Sequence, residues 1–265
     1  MCRHLAYLGP PASLRSVLID PPHGLYRQAW APRMQRPGAV NADGFGVGWY
    51  APDDPQPARY RQAIPMWADE SFGDLARVTR AGALLAAVRN ATPGTSHGPA
   101  AVAPFRSGPW LFSHNGAVAG WPDSVAGLAA TLSARALLDL AARVDSALVW
   151  ALVLDRLRSG AAPAEALADT LGALYAAGVH GRFNFLLTDG NAIAATRAGH
   201  SLYYRQAASD TGTVTVASEP GDDEPGWIEV PDGSVVTATP QEVSVAPLAG
   251  LTDENQNTEN GRISI

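Results

Sequence analysis

The 265-residue sequence contains no lysine, so all 19 of its basic residues are arginine. A chain without lysine cannot form a Schiff base with a carbonyl substrate or pyridoxal phosphate, and it lacks the P-loop lysine that contacts nucleotide phosphates. Cysteine occurs once, as Cys2. A single thiol excludes, within this chain alone, a disulfide, a zinc site built from several cysteines and an iron–sulfur cluster.

Membrane, secretion and metal signals are also missing. No apolar run approaches the ~18 residues of a membrane span, and residues 1–30 lack the basic start and apolar segment of a secretory signal. We therefore expect a cytoplasmic protein. The six histidines are scattered without zinc-motif spacing, so neither a metal nor another cofactor is expected. A formal net charge of −6 argues against nucleic acid or an anionic membrane as the main partner.

The predicted elements run from strands through helices and back to strands. Helices are predicted over residues 12–19, 72–80, 145–158 and 164–176, and strands over 44–50, 59–64, 83–89 and 110–113. A series of strands follows residue 183, with a hairpin signal at Asp189-Gly190-Asn191. This order favours two mostly antiparallel sheets with helices packed outside. We predict one domain over residues 2–250 and a disordered tail over 251–265.

Cys2 is the first candidate catalytic residue. If Met1 is removed, the thiol and a free α-amino group belong to the same residue, and the amine, with a reference pKa near ~8, can accept the thiol proton. Nucleophile and base then form one unit, as in enzymes that use an N-terminal threonine. The alternative is that cysteine stands at position 2 by chance, so the interpretation needs support from other residues.

Three further positions offer that support, each with a structural alternative. The amide of Asn115 and the N–H of Gly116 can stabilise an oxyanion, or His114-Asn115-Gly116 is simply a turn that ends a strand. Arg89 can hold a substrate carboxylate with its planar fork, or it forms a surface ion pair. Asp145 can bind a substrate ammonium group, or it and the next residue serve as N-cap candidates of a helix.

Two other motifs match known signatures only in part. Residues 44–48 (GFGVG) begin like a dinucleotide-binding fingerprint, but the third glycine is one position early and no helix follows. Residues 94–98 (GTSHG) fit the serine-hydrolase pattern G-x-S-x-G, whose serine must be followed by a helix. Pro99 and Pro104 follow instead, which makes that helix implausible.

Several short motifs occur together in the order typical of one family. They are Met1-Cys2-Arg3-His4, Asn41-Ala42-Asp43-Gly44, Arg89-Asn90-Ala91-Thr92, His114-Asn115-Gly116 and Val144-Asp145-Ser146. In combination they resemble the class II, N-terminal-cysteine glutamine amidotransferases, and the likeness extends to about Thr239. The resemblance implies an α+β N-terminal-nucleophile hydrolase fold with four layers, αββα.

The same resemblance implies a role for each matching residue. Cys2 would be the nucleophile, and Asn115 with Gly116 would form the oxyanion hole. Arg89 would bind the α-carboxylate of a glutamyl group, with Thr92 nearby, and Asp145 would bind its α-amino group. The synthase members carry Trp and then Ala-Thr-His-Gly after this arginine, whereas this chain has Asn90 and Pro93, so the wall of the glutamyl pocket is expected to differ.

Within the family, residues 18–33 and 41–50 are similar to the stand-alone members of the ergothioneine pathway. This implies a cofactor-free amidohydrolase that cleaves a small γ-glutamyl substrate, γ-glutamyl-hercynylcysteine S-oxide. Aromatic faces attract trimethylammonium groups, and candidates for that contact are numerous: Trp30, Trp49, Tyr50, Trp67, Trp110 and Trp121. Two alternatives stay open, a glutaminase subunit that supplies ammonia to a separate synthase and an inactive fold that serves as a binding module.

Overall fold

The structure is a computed structural model that describes residues 2–35, 40–92, 94–207 and 212–248. Two antiparallel sheets form its centre. The seven-stranded sheet has the order β11-β9-β10-β1-β4-β2-β3 and the six-stranded sheet the order β13-β12-β8-β7-β6-β5. Their strands are β1 (Arg3–Ser13), β2 (Phe45–Trp49), β3 (Ala58–Gln62), β4 (Arg80–Val88), β5 (Phe105–Ser107), β6 (Trp110–Val118), β7 (Gly181–Thr188), β8 (Ile193–Arg197), β9 (Tyr203–Ala207), β10 (Thr213–Ala217), β11 (Ile228–Glu229), β12 (Ser234–Ala238) and β13 (Val243–Pro247).

Helices cover the outer faces of the two sheets. They are α1 (Leu14–Leu18), α2 (Leu25–Gln28), α3 (Phe72–Val78), α4 (Ala126–Ala129), α5 (Ala134–Leu138), α6 (Asp145–Arg158) and α7 (Pro163–Ala176), with short 3₁₀ turns at Met66–Ala68, Pro99–Ala101 and Asp123–Val125. The long helices α6 and α7 pack on the six-stranded sheet, and α1 to α3 pack on the seven-stranded sheet.

Side-chain alternation explains the layers. Along β1, Ala6 and Leu8 pack between the two sheets, whereas Leu5 and Tyr7 face the α1–α3 layer. Successive residues of a strand point to opposite faces, so a strand that is apolar on both faces must be covered on both. The predicted αββα arrangement is confirmed.

The local predictions are mostly confirmed. The helices predicted over 145–158 and 164–176 match α6 and α7 within one residue at each end, and α7 begins at Pro163. The hairpin signal joins β7 to β8, where Asp189 Oδ1 accepts hydrogen bonds from the N–H groups of Asn191 at 2.8 Å and Ala192 at 3.0 Å.

The end of β6 was predicted wrongly. The sequence placed a turn at His114-Asn115-Gly116, but β6 continues to Val118. β7 supplies the reason, because Asn115 pairs with Asn184 and Gly116 with Phe183 in an unbroken antiparallel register. Long-range pairing has overridden the local turn preference of Asn-Gly.

The described part of the chain contains no helix with the length and hydropathy needed to cross a membrane. The single domain predicted over 2–250 stays a prediction. The predicted tail, 251–265, lies outside the described residues.

Candidate active site

Cys2 lies immediately before β1, half-buried, with its Sγ donating a long 3.8 Å hydrogen bond to the carbonyl oxygen of Asn90. It shares a narrow cavity of about 20 Å³ with Arg89, His114 and Ser146, walled by residues 101–103 and Phe105. That volume is room for about one water molecule. The structure therefore brings two predicted site residues to one cavity: Cys2, the predicted nucleophile, and Arg89, which is predicted to bind the substrate carboxylate.

The register of the central strands explains why Cys2 and Arg89 lie close together. β1 and β4 are antiparallel, and Arg3 pairs with Val88. The next residue outward on each strand is Cys2 on one side and Arg89 on the other. Two residues that are distant in sequence are therefore neighbours at the same end of the sheet.

In the part of the chain that the structure describes, one terminal nitrogen of the Arg89 guanidinium is hydrogen-bonded, and the other is not. The residue is 8% exposed, and its Nη2 donates to Thr95 Oγ1 at 3.2 Å and to the Ser96 carbonyl at 3.0 Å. Its Nη1 is buried, and within the described residues it has no hydrogen-bond partner. A buried donor left unpaired is costly, so a ligand oxygen at Nη1 would relieve that cost. The alternative of a surface ion pair is wrong, because Arg89 is buried and pairs with no carboxylate among the residues described.

Thr92 contributes through its backbone. Its carbonyl accepts hydrogen bonds from Thr95, from the side-chain hydroxyl at 2.6 Å and from the backbone N–H at 3.2 Å. The hydroxyl of Thr95 in turn accepts from Arg89. Thr92 thus orders the loop that fixes one end of the guanidinium.

Asn115 is fully buried, and its Nδ2 donates to Ser218 Oγ at 3.2 Å. The same hydroxyl oxygen accepts the backbone N–H of His4 at 2.9 Å. His4 is two residues beyond Cys2, so the predicted oxyanion donor is tied through one shared atom to the strand that directly follows Cys2.

Position 116 has room only for glycine, because neighbouring atoms crowd its Cα. A Cβ at this position would overlap the carbonyl oxygen of Arg182 and Nε2 of His114. His114 occupies that space because its ring bridges Arg182 O at 2.9 Å and Ser146 Oγ at 3.2 Å. Burial lowers the pKa of His114, although Asp145 nearby opposes that shift. These contacts hold the His114 ring between β7 and α6.

Asp145 is the first residue of α6 and is only 4% exposed. Its Oδ2 accepts the N–H of Val118 at 3.0 Å, and its Oδ1 accepts the N–H of Ser146 at 2.7 Å. The N-cap is Val144, so the N-cap prediction for Asp145 and Ser146 was wrong by one or two positions. Among the residues described, the carboxylate has no cationic partner within ion-pair distance, which leaves its negative charge available to a ligand.

Sequence reasoning missed several residues that shape this region. Asp43 accepts the N–H of Ala91 at 2.7 Å and donates its own N–H to the Arg89 carbonyl at 2.9 Å, which fixes the arginine's backbone. The only sequence signal for Asp43 was its place in the family motif Asn41-Ala42-Asp43-Gly44. Ser218 and Glu219 had none, because the Ser-Glu-Pro segment that contains them has the composition of an ordinary loop.

The aromatic residues are spread widely. Trp49 pairs with Leu84, four residues along β2 from the Phe45–Val88 pair, so it lies roughly 13 Å from the Cys2 end of the sheet. Tyr50 is also at that far end, where its hydroxyl donates to the Pro109 and Thr188 carbonyls.

Comparison with known proteins shows the family of the chain. The family model described as "Glutamine amidotransferases class-II" matches residues 26–209. The chain belongs to the class II glutamine amidotransferases. It is 39% identical over 248 residues to the gamma-glutamyl-hercynylcysteine sulfoxide hydrolase of Mycolicibacterium smegmatis, and the match covers 94% of this chain and 100% of that protein.

Solved structures agree with this assignment. A glutamine aminotransferase class-II domain protein from Silicibacter pomeroyi has a TM-score of 0.66 at 25% identity, with 94% of this chain and 100% of the other covered. The glutamine phosphoribosylpyrophosphate amidotransferase of B. subtilis has a TM-score of 0.64 at 16% identity, covering 94% of this chain and 50% of the other. The fold is the N-terminal-nucleophile hydrolase fold of this family.

Proposed function

We propose that this class II amidotransferase hydrolyses the γ-glutamyl amide bond of γ-glutamyl-hercynylcysteine S-oxide, releasing glutamate and hercynylcysteine S-oxide. The observation that carries the proposal is the unpaired Nη1 of buried Arg89 in the cavity that holds the only cysteine. The choice of leaving group rests on the likeness to the Mycolicibacterium hydrolase.

The reaction has two halves. The Cys2 thiol loses its proton to the α-amino group that removal of Met1 exposes, and the thiolate attacks the γ-carbonyl carbon. Asn115 Nδ2 and the Gly116 N–H stabilise the oxyanion. The ammonium then protonates the leaving amine, and a γ-glutamyl thioester forms. Water attacks the thioester, which releases glutamate and restores the thiol.

Arg89 and Asp145 recognise the glutamyl group. Nη1 of Arg89 is free for the α-carboxylate, and Asp145 offers a buried carboxylate to the α-amino group. A substrate without the α-amino group would bind beside a buried carboxylate that has no cationic partner in the described part of the chain, which costs more than a lost contact.

The leaving group carries a trimethylammonium group that suits an aromatic surface. Trp30 and Trp67 form an edge-to-face pair 5.7 Å apart, and Trp67 is 39% exposed. Trp49 and Tyr50 lie at the far end of the sheet, which leaves Trp30, Trp67, Trp110 and Trp121 as candidates for this contact. The cytoplasmic location remains a prediction.

The test compares substrates. We expect kcat/KM for γ-glutamyl-hercynylcysteine S-oxide to exceed that for glutamine, and Cys2→Ala to abolish both activities without loss of the fold. Intact-mass measurement should show an active protein that begins at Cys2. Faster turnover of glutamine would favour an ammonia-supplying subunit, and an active preparation that fully retains Met1 would contradict the mechanism.

A further inference from the structure

One buried hydroxyl group contacts both the proposed oxyanion donor and the strand next to the proposed nucleophile. Ser218 follows β10 and is completely buried. Its Oγ accepts the Asn115 side-chain amide at 3.2 Å and the His4 N–H at 2.9 Å, while its backbone N–H donates to the His4 carbonyl at 3.0 Å. Ser218 therefore contacts the strand that directly follows Cys2 and the strand that carries the proposed oxyanion donor.

Those two strands belong to different sheets. β1 is in the seven-stranded sheet and β6 is in the six-stranded sheet. Apolar packing between sheets sets their separation but gives little control over the orientation of a single amide. Ser218 Oγ provides that control, because a hydroxyl oxygen has two lone pairs and here each meets a donor.

We infer that Ser218 is a positioning residue for the oxyanion hole, and that it acts by fixing the Asn115 side chain relative to the strand of Cys2. The inference rests on the proposed function. Oxyanion stabilisation depends on donors placed before the reaction, and displacements of about 1 Å reduce rates severely. Ser218 holds one N–H of Asn115 Nδ2, so the other N–H is left to meet the oxyanion.

The experiment compares Ser218→Ala with Ser201→Ala. Ser201 Oγ donates to the Ser218 carbonyl at 2.7 Å, so its loss removes a neighbouring hydrogen bond but leaves the contact with Asn115 intact. We expect Ser218→Ala to lower kcat by about 10-fold with KM nearly unchanged, less than the ~10²–10³ typical of deleting an oxyanion donor. Ser201→Ala should keep the wild-type kcat.

Two further measurements separate positioning from general damage to the fold. Cys2 is the only cysteine, so alkylation by iodoacetamide titrates intact sites and allows kcat to be expressed per reactive thiol. The double variant Asn115→Ala/Ser218→Ala should be no slower than Asn115→Ala alone, because Ser218 acts through Asn115 and the two effects should not add.

The outcomes decide two separate questions, the positioning role of Ser218 and the proposed function. A Ser218→Ala protein whose kcat per thiol matches Ser201→Ala, or whose defect is confined to KM, would overturn the positioning role. Additive losses in the double variant would overturn it as well. Absence of γ-glutamyl hydrolysis in the wild-type protein would overturn the proposed function and, with it, this inference.

Discussion

Glu219 should contribute a large share of the stability of the fold. Its Oε1 lies 3.0 Å from Nε of Arg3, and both side chains are completely buried. Its Oε2 accepts the N–H groups of Arg33 at 2.6 Å and Met34 at 3.1 Å, which ties the segment after α2 to the first residue of β1. Burial lowers the pKa of Arg3, and Glu219 opposes that shift by stabilising the guanidinium charge.

Glu219→Gln keeps the size and one acceptor oxygen but leaves Arg3 as an uncompensated buried cation. Breaking such a pair costs ~3–5 kcal/mol, a substantial part of a typical total of ~5–15 kcal/mol. For a chain of this size we expect the melting temperature to fall by roughly 6–20 °C. Replacing both partners, as Arg3→Met/Glu219→Met, should recover part of the loss, because no buried charge is then left unpaired.

Asp139→Asn is the matched control. Asp139 pairs with Arg135 at the shorter distance of 2.7 Å, but these side chains are 57% and 83% exposed, so the pair is screened by water. We expect no measurable change in chemical or thermal unfolding. If Glu219→Gln were no more destabilising than Asp139→Asn, the reasoning that burial rather than distance sets the effect would be refuted.

Three further predictions follow from other contacts. Burial holds the pKa of His4 and His200 at about 3, below the ordinary 6.5, so the unfolded chain binds more protons as pH falls below about 6.5. Unfolding free energy should therefore drop by ~2 kcal/mol per histidine between pH 7 and 5; a flat urea midpoint over this range would contradict this. Gly116→Ala should lower the free energy of unfolding, measured in urea, by more than ~1–3 kcal/mol, because a Cβ there would overlap neighbouring atoms. Gly172 has open space around it, so Gly172→Ala should be neutral or stabilising. Arg89→Gln should raise KM more than it lowers kcat in steady-state assays, and a pure kcat defect would argue against carboxylate binding.

Local sequence rules predicted most of the elements because most of them are locally encoded. α6 and α7 have apolar residues at helical spacing, and the 189–191 turn has the side chain that the turn requires. The error at His114-Asn115-Gly116 has the opposite origin. The strand continues there because β7, nearly 70 residues further on, supplies a complete ladder that no local pattern announces.

The residues of the site also differ in whether the sequence could reveal them. The resemblance named the residues that were predicted to meet substrate, and the structure places Cys2 and Arg89 around one cavity. Ser218 and Glu219 were missed because their importance lies wholly in contacts with residues more than 100 positions away. A serine and a glutamate before a proline give no signal until the chain is folded.

The role proposed for Cys2 presents a particular difficulty, because chain termini are usually mobile and catalysis needs a fixed attacking atom. Here β1 lies inside its sheet, paired with β10 on one side and β4 on the other. The two residues after Cys2 are then each anchored by consecutive residues of the segment after β10, Arg3 by Glu219 through charge and His4 by Ser218 through hydrogen bonds. Two kinds of interaction from one short segment thus hold the start of the strand, and they fix the position of the proposed nucleophile next to it.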